Sequence, residues 1–157
     1  MASSTTSPGR TPLQTAAGLV GATFLAIGVL GFVPGITQNL GDIEFAGTHS
    51  DAKLLGIFEV SVLHNLVHVL FGIAGLWAAR VASYAKPFLF GGGAVYLALW
   101  VYGLVVGHDS AANFVPFNTA DNWLHFTLGA GMVAIGMALS RTPVAATVRA
   151  DRPARAR

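Results

Sequence analysis

Four apolar runs, separated by polar or turn-forming segments, organise the chain. Residues 13–33 carry no charge and follow Thr11 and Pro12, an N-cap with proline at the first helical position. At ~1.5 Å per residue, a helix there crosses ~30 Å of hydrocarbon. Pro34 and Gly35 stop it, and a polar stretch with Asp42, Glu44, His49 and Asp51 follows. A second helix is expected from near Ser50 to Ala82, its span over 54–82. Its first turns carry Lys53 and Glu59 and are expected at the membrane interface. Pro87 opens a third span over 88–107. After a short loop a fourth runs over 121–140, where Asn118 and Asp121 have the spacing of a cap and its N3 partner. The resulting division is a mobile N-terminus (1–11), a domain of four transmembrane helices (12–140) and a basic tail (141–157).

Composition turns this pattern into a class. Of 157 residues, 54% are apolar and 10% charged, and mean hydropathy is +0.62. A soluble domain carries about 25% charged residues. The expected fold is therefore an all-α polytopic membrane four-helix bundle. The chain has no cysteine, which excludes disulfide frameworks, thiol catalysis and the small four-helix membrane enzymes that generate disulfides.

Charge then orients the spans. Arg10, Arg80, Lys86, Arg141, Arg149, Arg152, Arg155 and Arg157 fall on one side of a four-span arrangement, and only Lys53 on the other. The positive-inside rule places both termini in the cytoplasm. Asp42, Glu44, Asp51, Glu59, Asp109, Asp121 and all five histidines lie toward the outer side. The first span is too long for a signal-peptide core, and Pro34-Gly35 is no cleavage site, so it is read as uncleaved.

Two helices share one word. Asn65, His68 and Gly72, and again Asn122, His125 and Gly129, spell N-x-x-H-x-x-x-G at a constant offset (122 − 65 = 125 − 68 = 129 − 72 = 57). Ala79 with Gly136, and Ser83 with Ser140, continue the register. At ~100° per residue each set falls within roughly 60° of one helix face. Small-and-polar stripes of this kind face other helices in lipid. Both helices follow an odd-numbered span and so run in the same direction, which predicts two hairpins in a parallel repeat. Identity outside the stripe is poor, so duplication and convergence of two buried faces both stand.

Three readings compete for the Asn/His pairs. In the first, Asn65, Gly72, Asn122, Gly129 and Gly136 are a helix-packing stripe, with each interhelical hydrogen bond worth ~0.6 kcal/mol. In the second, His68 and His125, with His64 one turn earlier, hold haem b or a metal ion. In the third, the imidazoles carry protons or line a substrate path. No acidic residue lies mid-span, which argues against an ion-coupled exporter. Glu59, about 180° from His68 if both are helical, reads as an interfacial partner of Lys53. His49 and His108, with Asp51 and Asp109, read as solvated loop residues rather than an outer metal site. Gly91 to Gly93, and Gly18, Gly21, Gly28 and Gly31, read as close helix contacts. Trp100, Tyr96 and Tyr102 read as packing residues whose polar tips seek partners. The arginine-rich tail suits anionic lipid headgroups, and no nucleic-acid partner is expected.

Leu55 to Phe58, then Val60 to His68, then Gly72 to Leu76, together with Phe32 to Gly35 at the end of the first span and the later Asn122/His125 pair, resemble a family of small bacterial membrane proteins known as domain of unknown function 4383. The resemblance covers most of residues 15–140. It implies four spans and a bacterial plasma membrane, and it carries no established activity and no catalytic residue. The combined expectation is a non-enzymatic accessory or stress-related membrane protein, with a homo-oligomer or another membrane protein as its partner. The rival is a haem- or metal-binding redox protein built on His68, His125 and His64.

Overall fold

A computed structural model describes residues 9–47, 50–107, 110, 112–116 and 118–141. The expectations for a mobile segment before Gly9, for the arginine tail beyond Arg141 and for a loop cluster of His49, His108 and Asp109 fall outside the described residues.

Four helices carry the fold: α1 (Pro12–Leu30), α2 (Val62–Ala78), α3 (Ala82–Val105) and α4 (Thr119–Ser140). Between α1 and α2 lies a small antiparallel sheet of β1 (Thr37–Gln38), β2 (Lys53–Leu54) and β3 (Phe58–Glu59), in the order β1-β2-β3. α1 begins as the sequence predicts. Gln14 N donates to Thr11 Oγ1, and Thr11 N donates back to Gln14 Oε1, a reciprocal cap that satisfies two orphan donors. Gln14 Nε2 also donates to Ala79 O at 3.0 Å. It thereby covers an end-of-helix carbonyl of α2 and ties the start of one helix to the finish of the next.

The second helix departs from expectation at both ends. It starts at Val62, not near Ser50, because residues 53–59 form the β2–β3 hairpin. Leu55 and Gly56 sit at φ 54° and 71°, the central pair of a left-handed turn closed by Ile57 N donating to Leu54 O, inside a three-residue loop between the paired Leu54 and Phe58, and no right-handed helix accommodates them. Lys53 and Glu59 are therefore cross-strand partners, and Glu59 has no position on a helix. Ser61, extended at φ −127° and ψ 170°, caps α2 by accepting from His64 N. At the far end α2 stops at Ala78 and α3 starts at Ala82, so Pro87 lies inside α3 instead of opening it. Ser83 consequently belongs to α3, and the stripe of α2 ends at Ala79.

α1, α3 and α4 are long and apolar enough to cross a membrane, while α2 is an apolar helix of 17 residues. At ~1.5 Å per residue α2 reaches about 26 Å, against ~30 Å of hydrocarbon. The outward helix faces are apolar too, with Leu19, Leu70, Val95 and Ile135 all exposed.

α1 packs most extensively on α2, and α3 on α4. Glycine sets both crossings. A Cβ on Gly21 would fall 2.8 Å from Gly72 O, and one on Gly93 would fall 2.9 Å from Gly129 O. The backbones meet where no side chain intervenes. The core between the hairpins is Phe24, Leu89, Tyr96 and Met132.

The crossing glycines of the odd helices, Gly21 and Gly93, open a second repeat. Gly21-Ala22-Thr23-Phe24-Leu25-Ala26-Ile27 in α1 matches Gly93-Ala94-Val95-Tyr96-Leu97-Ala98-Leu99 in α3 at an offset of 93 − 21 = 72. The offset is 72 for the odd helices and 57 for the even ones. The first hairpin therefore carries 72 − 57 = 15 extra residues between its helices, and its connection is the one that builds the sheet. Identity outside the stripe, poor in the register of 57, also lies in the odd helices, in a different register. This favours the parallel repeat over convergence.

Candidate functional site

Both copies of the word begin with a capped helix. Ser61 accepts from His64 N, and Asn118 Oδ1 accepts from Ala120 N and Asp121 N. The caps keep the same offset, 118 − 61 = 57. Asn118 and Asp121 form the capping box that their spacing predicts.

Just inside the caps the two hairpins clasp each other. Asp121 Oδ2 accepts from Glu59 N at 3.0 Å, so α4 holds the hairpin next to α2. The His64 ring nitrogen Nδ1 lies 3.4 Å from Pro116 O, so α2 holds the loop next to α4. The four positions are related by the repeat: 121 − 64 = 57 and 116 − 59 = 57. Residue 64 meets residue 116, and residue 121 meets residue 59, the reciprocal pattern that a twofold axis imposes on an interface. The chemistry is complementary as well. Proline lacks an N–H and offers a carbonyl, which a histidine N–H can serve, while Glu59 offers an N–H, which a carboxylate serves. Asn118 Nδ2 adds a bond to Ile57 O at 2.7 Å.

One turn deeper, the second pair of histidines meets aromatic rings. His68 lies 5.4 Å from Phe24, Phe24 lies 5.0 Å from Tyr96, and Tyr96 lies 5.4 Å from His125, measured between ring centroids. Phe24 and Tyr96 are themselves repeat partners. His68 Nδ1 lies 3.0 Å from His64 O. A carbonyl only accepts, so the Nδ1 atoms of His64 and His68 carry the protons and Nε2 is left as an acceptor on each ring. Neither Nε2 bonds to another described residue.

The stripe residues Asn65, Gly72, Asn122, Gly129 and Gly136 are all buried. Gly31 lets Asn65 approach α1 so closely that a Cβ there would collide with its amide. Asn65 Nδ2 and Asn122 Oδ1 are buried without a hydrogen-bond partner among the described residues. The asparagines thus contribute close packing more than bonding.

A pocket of about 210 Å³ opens between the clasp and the rings. His64, His68, Asp121 and His125 line it, and each is 3–7% exposed. Leu54, Phe58 and Val60 of the hairpin and Leu124 and Leu128 of α4 complete its wall. The sequence reading found the three histidines but treated Asp121 only as a cap. Extending the 57-residue register back by one position, from Asn65 and Asn122 to His64 and Asp121, would have exposed the pair. The hairpin wall had no signal, because its residues were assigned to a helix.

This geometry bears on the ligand reading. Pockets for drug-sized ligands hold ~300–1,000 Å³, and this one is smaller. Each of His68 and His125 also has an aromatic ring packed against it. Among the described residues, no three His, Cys, Asp or Glu side chains come together in a way suited to a metal ion.

No curated protein and no solved structure matches the chain. A family model does match, over residues 14–138, which takes in all four helices, both copies of the word and the clasp between them; the chain belongs to the family described as a domain of unknown function, DUF4383.

Proposed function

We propose that this chain is a multi-pass protein of the bacterial plasma membrane with four crossings and both termini in the cytoplasm, acting as a non-enzymatic accessory protein. The single observation that supports it best is the burial of polar groups inside helices whose outer faces are apolar. Such an inversion suits lipid as the solvent. Of the described cations, Arg10, Arg80, Lys86 and Arg141 gather where α1 starts, where α2 turns into α3 and where α4 ends, and only Lys53 lies in the connection between α1 and α2, which supports cytoplasmic termini. Trp77 stacks on Tyr84 at that end, and Trp100 meets Trp123 and Phe126 toward the other, as interfacial aromatic belts do. α2 completes a fourth crossing at the short end of the ~17–25-residue range.

In this reading the Asn/His stripe is internal packing. Replacing both His68 and His125 by alanine should lower the melting temperature in detergent, and unchanged melting would count against that role. Reporters fused after Arg157 test topology: activity confined to the periplasm removes the cytoplasmic assignment. Visible spectra and metal content of protein from cofactor-replete cells test the rival reading, which requires a Soret band or stoichiometric metal.

A further inference from the structure

The pocket beneath the β2–β3 hairpin has features that the packing role does not use. Acceptors predominate among its polar groups, although a neutral His125 brings one N–H beside one acceptor. The tautomers set by Pro116 O and His64 O leave Nε2 of His64 and His68 as acceptors, and Asp121 adds a carboxyl whose Oδ2 already receives two backbone N–H groups. A ligand that satisfies this set must donate. The remaining wall is apolar, and an apolar wall penalises a full charge, so the donor that fits is a neutral hydroxyl. The volume of about 210 Å³ holds a molecule of about one substituted ring. The imidazoles of His64 and His68, packed on each other with centroids 4.5 Å apart, both line it, and aromatic rings pack well against such groups.

The rim points to the route of entry. Leu55 lines the pocket, is 63% exposed and sits at φ 54°. A leucine in the left-handed region is strained, and such strain gathers at ligand clamps. Ile57, next in the same turn, is 53% exposed. An exposed aliphatic side chain on the pocket wall, with a second in the same turn, favours a ligand that arrives from the bilayer.

We propose that this pocket binds a small phenol-class molecule, taken from the membrane, whose hydroxyl donates to Nε2 of one of the two imidazoles, His64 or His68. The proposal goes beyond the packing reading: the asparagines and glycines hold the helices, and the imidazole edges hold the ligand.

The test uses the full chain in detergent, labelled with ¹⁵N-histidine. It is titrated with 4-ethylphenol and, separately, with ethylbenzene, which has the same body without the hydroxyl. Saturable shifts of the His64 and His68 Nε2 signals are expected with 4-ethylphenol, at an affinity about tenfold or more above that of ethylbenzene, the ratio expected when one hydrogen bond is lost. Leu124→Trp, which fills the pocket from α4, should abolish the shifts while helical circular dichroism is retained. Equal affinity for the two molecules, or no saturable shift in the wild-type chain, overturns the proposal. So does a response to zinc ions with none to 4-ethylphenol, which would make the site a metal site. The comparison of two ligands on the wild-type chain needs no variant to fold. It is also independent of the melting experiment that tests the packing role.

Discussion

The two hairpins perform the same crossing with different surroundings. α1 meets α2 at Gly21 and Gly72, and α3 meets α4 at Gly93 and Gly129, with Phe24 and Tyr96 one turn on in each odd helix. The even helices diverge where they reach the pocket. The position before asparagine is His64 in one copy and Asp121 in the other. The connections diverge more: the first is a three-stranded sheet, and the second is a shorter loop ending in the Asn118 cap. Positions that hold backbones together are kept in both halves, as are His68 and His125 on the pocket wall, whereas the outer polar pair, His64 and Asp121, is unlike. The shared parts serve packing, which is symmetric, and the unshared parts build one wall and one pair of unlike polar groups around a single cavity.

The largest test of that division is at the crossings. A Cβ on Gly72 would meet the backbone of Leu25, and one on Gly129 would meet Gly93 O and Leu97 N. These atoms belong to helix backbones and cannot give way. Gly72→Val and Gly129→Val should each cost about 3 kcal/mol or more, at the upper end of overpacking penalties. Gly91, with nothing within 4 Å of its added Cβ, should accept alanine with a gain of up to about 1 kcal/mol in helix propensity. Chemical unfolding in detergent reads all three, and equal effects at Gly72 and Gly91 would dissolve the crossing argument.

The clasp comes next. Asp121→Ala strands the N–H groups of Glu59 and Asn118 and should cost about 2 kcal/mol, within the usual range for a buried unsatisfied donor. Leu55→Asn places a residue suited to the left-handed region in the hairpin turn and should stabilise the chain by about 1 kcal/mol; a loss of stability would show that the leucine is held there by contacts worth more than its strain. His64→Ala removes a longer bond, 3.4 Å to Pro116 O, and should cost only ~0.6 kcal/mol, the typical value for a hydrogen bond in a bilayer. If His64→Ala proves as damaging as Asp121→Ala, the two arms of the clasp are equivalent after all.

Much of this was legible along the chain. The apolar runs located α1 and α4 to within a few residues, and the caps at Thr11 and Asn118 marked their starts. The doubled word named the buried stripe. The hairpin was hidden because Leu55-Gly56 is a poor advertisement for a turn that usually carries Asn-Gly. With no turn signal, the run from Leu54 to Ala82 read as one helix. Pro87 misled in the opposite sense, marking a helix start at a place where α3 tolerates it near its first turns. The repeat of the odd helices escaped for a simpler reason: its offset of 72 differs from 57, and a search in one register cannot find a match in another. The pocket depended on the clasp, and a clasp between residues 62 apart along the chain has no local signature.

The clasp also has a consequence for biogenesis. A ribosome delivers the chain from its N-terminus at ~5–20 residues per second, so the first hairpin is complete before α4 exists. During that interval Glu59 N lacks Asp121 and His64 lacks Pro116, and both ends of the clasp must be served by water. The second hairpin then closes the first by supplying a carboxylate and a carbonyl together. A nascent chain stalled before Asn118 would hold a crossed α1–α2 pair with its outer end still hydrated, and release of the last helix would seal it.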